Sequence, residues 1–220
     1  MIKCCIFDLD GTLLNTISTI TYYVNSALGE HSIESITEEE CKMFVGTGAR
    51  ELIRKALASK NILDADVFDK VFVTYTERYN SDTLYLTEVY DGIYDTISAL
   101  KERGVKLAIL SNKPDLTTKS VVARFFGDTF DFVAGAKEGV MLKPYRDGAL
   151  PILEFFGVTP EECAWIGDTA IDVLTGKNIG VSLNIGVLWG FRDREELVSA
   201  GADLIVDNPK EILDGVLSFE

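Results

Sequence analysis

Histidine is almost missing from this chain of 220 residues: His31 is the only one, set between Glu30 and Ser32 in a stretch that reads as a loop. A lone histidine without ligand neighbours argues against a zinc centre and against a histidine-based nucleophilic triad. Cysteine is scarce too. Cys4, Cys5, Cys41 and Cys163 show no C-x-x-C spacing, and three of them lie inside apolar patterns, so they read as buried, reduced thiols. No apolar stretch approaches the roughly 20 residues that a bilayer crossing needs. The first residues also lack the basic, apolar, small-residue order of a signal peptide. The expected compartment is the cytoplasm, with no membrane partner.

Positive charge is short as well. Lys and Arg total 21 against 35 Asp and Glu, a formal net charge of −14. Such a chain repels nucleic acid and anionic membrane, so neither is expected as a partner. A small anionic substrate would need local positive charge from a metal ion and a few placed lysines. Several familiar motifs are absent: Gly167 to Lys177 lacks the G-x-x-x-x-G-K-[ST] spacing, Gly46-Thr47-Gly48 lacks the third glycine of a dinucleotide loop, and no G-x-S-x-G elbow occurs.

What is present is an ordinary globular composition, 47% apolar and 25% charged, long enough for one large domain or a core with an insert. The short apolar run that follows Lys3 reads as a buried strand and breaks into Asp8-Leu9-Asp10-Gly11-Thr12. From about Ile17 to Tyr85 the pattern is helical throughout. Ile17, Ile20, Val24 and Leu28 recur at helical spacing, Thr37 to Glu40 forms a capping box, and Gly46-Thr47-Gly48 breaks a helix. From Asp91 onward, apolar runs at 105–110, 130–134, 163–166, 181–188 and 203–206 alternate with helical stretches. That alternation predicts a doubly wound, mostly parallel α/β sheet, Rossmann-type, with an all-helical cap inserted after the first strand. The expected division is residues 1–16 with 87–220 for the core and 17–86 for the cap. In such sheets ligands gather at the carboxyl ends of the strands.

Four polar clusters fall at such ends. Asp8 and Asp10 flank one leucine, an arrangement that suits a carboxylate nucleophile beside a proton donor whose pKa a negative neighbour would raise. Read alone, Asp-x-Asp-Gly is also compatible with a solvated turn; it does not fit a calcium loop, whose sixth position needs glycine where Leu13 stands. Leu110-Ser111-Asn112-Lys113 offers a hydroxyl and helix-start N–H groups to phosphate oxygens, or a plain helix-initiating turn. Lys143-Pro144 offers an aimed lysine, or a solvated one. Gly167-Asp168 to Asp172 places two acids one helical turn apart, for Mg²⁺ or, in the case of Asp172, for the helix dipole.

Together, Asp8-Leu9-Asp10-Gly11-Thr12, Ser111-Asn112, Lys143-Pro144 and Gly167-Asp168 through Asp172 resemble the four motifs of the haloacid dehalogenase (HAD) superfamily, in order and over almost the whole chain. The chain looks most like its phosphoglycolate phosphatase-like group: Val45 to Arg50 resembles that group's substrate-facing cap loop, and Gly190-Phe191 with Gly201-Ala202-Asp203 its tail. Asn15, Tyr145-Arg146 and Asp91 depart from the usual residues, without touching the chemical positions. The resemblance implies a Mg²⁺-dependent phosphomonoester hydrolase acting on a small phosphorylated metabolite through an aspartyl-phosphate. Asp8 would be the nucleophile and Asp10 the acid and base. Asp8, the Asp10 carbonyl and Asp168 would hold the metal, with Asp172 orienting it. Thr12, Ser111, Asn112 and Lys143 would bind phosphate, and Thr47, Gly48 and Arg50 would face the substrate. The protein would be a monomer or homodimer. A sugar-phosphate mutase, a dehalogenase and a non-catalytic aspartyl-phosphate switch are the alternatives; an acid at Asp10 and the helical cap favour the phosphatase.

Overall fold

The computed structural model describes residues 1–219. The chain forms two compact units, one of Met1–Asn15 with the chain from Val89 onward, the other of Thr16–Glu88.

The first unit begins with β1 (Cys4–Phe7), whose four residues are all buried, and a short β2 (Leu14–Asn15). The chain then builds the second unit from α1 (Ile17–Glu30), α2 (Glu38–Phe44), α3 (Ala49–Ser59) and α4 (Ala65–Ser81). The helices form where the apolar spacing places them: Ile17, Ile20, Val24 and Leu28 are the buried stripe of α1. Thr37 and Glu40 close a reciprocal capping box at the start of α2. Ile53, Leu57 and Val71 fill the interior of this unit.

After β3 (Glu88–Val89), strand and helix alternate: α5 (Ile93–Glu102), β4 (Lys106–Pro114), α6 (Asp115–Phe126), β5 (Phe132–Ala136), α7 (Leu150–Phe156), β6 (Cys163–Gly167), α8 (Ala170–Ile179), β7 (Leu183–Val187), α9 (Arg194–Ala200), β8 (Leu204–Val206) and α10 (Pro209–Ser218). Six strands form one sheet in the order β5-β4-β1-β6-β7-β8, every pairing parallel. This is the doubly wound α/β fold expected from the sequence.

Both faces of the sheet are covered, which is why β1 reads as a continuous apolar run instead of an alternating one. Cys5 and Phe7 join Leu107, Ile109, Ile166 and Ile185 against Ile97, Leu100, Val121 and Ile212 on one face. Cys4 and Ile6 join Ala108, Trp165, Ala149 and Ile152 on the other. Burying a side chain such as Phe7 stabilises the fold by about 1.5–3 kcal/mol. Strand order reverses at β1, with β4 on one side and β6 on the other. The carboxyl ends of these three strands are therefore neighbours, and they carry the polar clusters. Among the described residues no helix is long and apolar enough to cross a membrane.

Candidate active site

Asp8 follows β1 directly and keeps the strand's ladder: its N–H donates to the Ile166 carbonyl at 2.9 Å. The side chain is nearly buried, and its Oδ1 lies 2.7 Å from Lys143 Nζ as an ion pair without hydrogen-bond geometry. The same ammonium donates to Asp172 Oδ1 at 2.7 Å and stands 5.5 Å over the Trp165 ring. Lys143 is positioned from behind by Asn112, whose amide donates to the Lys143 carbonyl at 3.1 Å and accepts its N–H at 2.8 Å. Asn112, expected at phosphate, thus gives its side chain to the lysine loop.

Asp168 follows β6 and is fully buried. Thr12 Oγ1 donates to its Oδ1 at 3.0 Å, and the Phe191 N–H to its Oδ2 at 2.9 Å. Thr12, also expected at phosphate, therefore spends its proton on Asp168. Asp172 lies in the first turn of α8 and completes a capping box with Thr169, whose N–H and Oγ1 donate to Asp172 Oδ2 at 3.1 and 2.7 Å. Ser111 is buried within β4, directly after its apolar run; its Oγ accepts the Lys113 N–H at 3.3 Å. Asp10 is half-buried, with Lys113 Nζ donating to its two oxygens at 2.8 and 3.1 Å.

Oxygens of Asp8, Asp168 and Asp172 lie within 4.8 Å of one another, all three residues buried. Close like charges at low dielectric favour protonation. Burial pushes Asp8 up to about 7; Lys143 opposes the shift, and the Asp172 and Asp10 charges add to it. Asp168 is raised well above the carboxylate range by burial and by Asp172 and Asp8, against its two donors. Lys143 is raised as well, because Asp172 and Asp8 outweigh the burial that would lower it. Three carboxylates face one ammonium, and this surplus of buried negative charge fits a divalent cation. Asp172 already accepts three donors, so Asp8 and Asp168 are the members with room for a metal.

In the helical unit, Gly48 (φ 93°) is the residue before α3, and Thr47 Oγ1 is buried without a hydrogen-bond partner. Arg50 lies 5.0 and 4.8 Å over the rings of Phe68 and Phe72. Three contributors had no role at the site assigned from the sequence. Lys113 pairs with Asp10, Thr169 tethers Asp172, and Gly190 packs so close to Asp168 that a Cβ there would lie 2.3 Å from the Asp168 Cβ. The signals were Lys113's place beside Ser111-Asn112, the Thr-x-x-Asp spacing of a capping box and the Gly190-Phe191 pair of the tail.

Fold and site together define a doubly wound α/β protein with its acidic centre at the strand-order reversal. Residues 5–185 match the haloacid dehalogenase-like hydrolase family, and the chain belongs to that family. A Pseudomonas aeruginosa relative named phosphoglycolate phosphatase 1 is 30% identical over 211 residues, covering 94% of this chain and 77% of its own length. A Haemophilus influenzae phosphoglycolate phosphatase is 29% identical, covering 94% and 95%. The crystal structure of a Lactobacillus delbrueckii subsp. bulgaricus protein superposes with a TM-score of 0.93 at 30% identity, covering 98% of each chain.

Proposed function

We propose that this chain, a phosphatase of the HAD family, hydrolyses a small phosphorylated acid of the phosphoglycolate kind in the cytoplasm, through a covalent aspartyl-phosphate on Asp8. The observation that carries the reading is Lys143, one buried ammonium shared between Asp8 and Asp172 within a cluster of three close carboxylates. Lys143 neutralises Asp8 enough to let an anion approach, and it points a charge at the phosphoryl oxygens. Mg²⁺ held by Asp8, Asp168 and the Asp10 carbonyl would supply the remaining positive charge.

An Asp8 oxygen attacks phosphorus while the bond to the ester oxygen breaks, and Asp10 gives its proton to that leaving oxygen. Water then attacks the phosphorus of the aspartyl-phosphate, Asp10 takes the proton back, and inorganic phosphate leaves with Asp8 restored. Ser111 and backbone N–H groups at the strand ends hold phosphoryl oxygens. Asp172 acts through Lys143. Selection of the leaving group is assigned to the helical unit, with Thr47, Gly48 and Arg50 as its candidates. The names of the relatives support the phosphoglycolate class.

Hydrolysis of para-nitrophenyl phosphate with Mg²⁺ and with excess EDTA, by the wild type and by Asp8→Asn, tests the reading. Metal-dependent turnover by the wild type and none by Asp8→Asn is expected. Turnover retained by Asp8→Asn removes Asp8 as the nucleophile, and turnover that survives EDTA removes the metal.

A further inference from the structure

Lys113 has no place in that mechanism, yet it is built into the site. Its side chain is 4% exposed, and its ammonium meets both oxygens of Asp10, at 2.8 and 3.1 Å, across 103 residues of sequence. A buried lysine is costly unless it is paired, so its position reflects its partners. The backbone beneath it is held as tightly. Register slips between Leu110 and Pro114 on β4. The Lys113 N–H donates to Ser111 Oγ at 3.3 Å, and the Lys113 carbonyl accepts Thr118 Oγ1 at 3.1 Å. Gly135 on the neighbouring strand leaves no slack: a Cβ there would lie 2.5 Å from the Lys113 carbonyl oxygen and 2.6 Å from Thr118 Oγ1. Asp10 sits past the end of β1, in a tight turn where an isolated bridge joins it to Leu14 and the Gly11 N–H donates to the Leu14 carbonyl at 2.8 Å.

We propose that Lys113 is the positioning residue for Asp10. Gripping both carboxylate oxygens, it sets where the carboxyl group stands, so proton transfer to the leaving oxygen depends on a lysine that does not itself touch the substrate. The proposal rests on the reading of Asp10 as the proton donor. Misplacing a proton donor slows only a step that needs the proton. An alkoxide must be protonated as it leaves; a nitrophenolate is stable without it.

The test compares kcat/KM, which reports the chemistry up to departure of the first product, for glycerol 2-phosphate and para-nitrophenyl phosphate with Mg²⁺. The proteins are the wild type, Asp10→Asn (which keeps the backbone carbonyl), Lys113→Met, Lys113→Arg and the double variant Asp10→Asn/Lys113→Met. For Lys113→Met a loss of roughly 100-fold on glycerol 2-phosphate, with a far smaller loss on the nitrophenyl ester, is expected. Lys113→Arg should recover part of it, and the double variant should match Asp10→Asn alone. Equal losses on both esters, a double variant worse than Asp10→Asn by the full Lys113→Met factor, or unaltered kinetics in Lys113→Met would overturn the proposal. If Asp10→Asn itself treats the two esters alike, the reading of Asp10 falls, and the two failures are told apart.

Discussion

Two glycines enclose Asp168 as closely as its hydrogen-bond donors do. A Cβ on Gly11 would lie 2.3 Å from Asp168 Oδ2, and one on Gly190 would lie 2.5 Å from the Gly11 carbonyl oxygen. Gly11 also has φ +89°, which side-chain-bearing residues rarely adopt. Gly11→Ala therefore combines strain with a clash against a carboxylate fixed by Thr12 and Phe191. It should cost about 2 kcal/mol or more of stability and remove most Mg²⁺-dependent turnover, read by thermal denaturation and by phosphate release. An alanine variant that melts and turns over like the wild type would show that Asp168 is free to move. At this scale Asp8, Asp10, Lys143 and Asp168 were legible because Asp8 and Asp168 end apolar runs, Asp10 stands two residues beyond Asp8, and Lys143 precedes a proline. Their partners were not. Thr12 meets Asp168 across 156 positions and Lys113 meets Asp10 across 103, and no local pattern encodes a pairing set by which strands lie side by side.

Elements were easier to read where their signals are local. The capping box of α2 and the buried stripe of α1 follow from spacing within a few residues. β4 was harder. Its apolar run ends at Leu110, but the strand continues through Ser111, Asn112 and Lys113 to Pro114. Three buried polar residues in a strand look like a loop until their partners across the sheet are known. α8 shows the opposite economy: Thr169 both caps the helix and tethers Asp172, and Asp172 in turn holds Lys143. Thr169→Ala should cost about 1 kcal/mol as a lost cap, and kcat should fall because Lys143 loses the support behind its second carboxylate. Thr169→Ser keeps the hydroxyl and should restore both. Loss of stability without loss of kcat would confine Thr169 to the helix.

Across the whole molecule the electrostatic situation is a net charge of −14 with a cluster of three buried carboxylates, so the metal-free protein folds against its own charge. The sign of the resulting pH dependence follows from Asp8, raised to about 7 from an ordinary value of 3.8. Between those values the folded chain keeps a proton that the unfolded chain has released, so the stability it contributes is fully present below about 4 and is lost as pH rises through about 7. Asp168 is raised in the same direction. In EDTA the melting temperature should therefore fall from pH 5 to pH 8 by more in the wild type than in Asp8→Asn, whose amide cannot titrate. Excess Mg²⁺ at pH 8 should raise the wild-type melting temperature, since a ligand that binds only the folded state stabilises it, and should raise that of Asp8→Asn less. Parallel pH curves for the two proteins would mean that Lys143 alone neutralises Asp8. The cation would then be recruited by the incoming phosphate instead of by the carboxylate cluster.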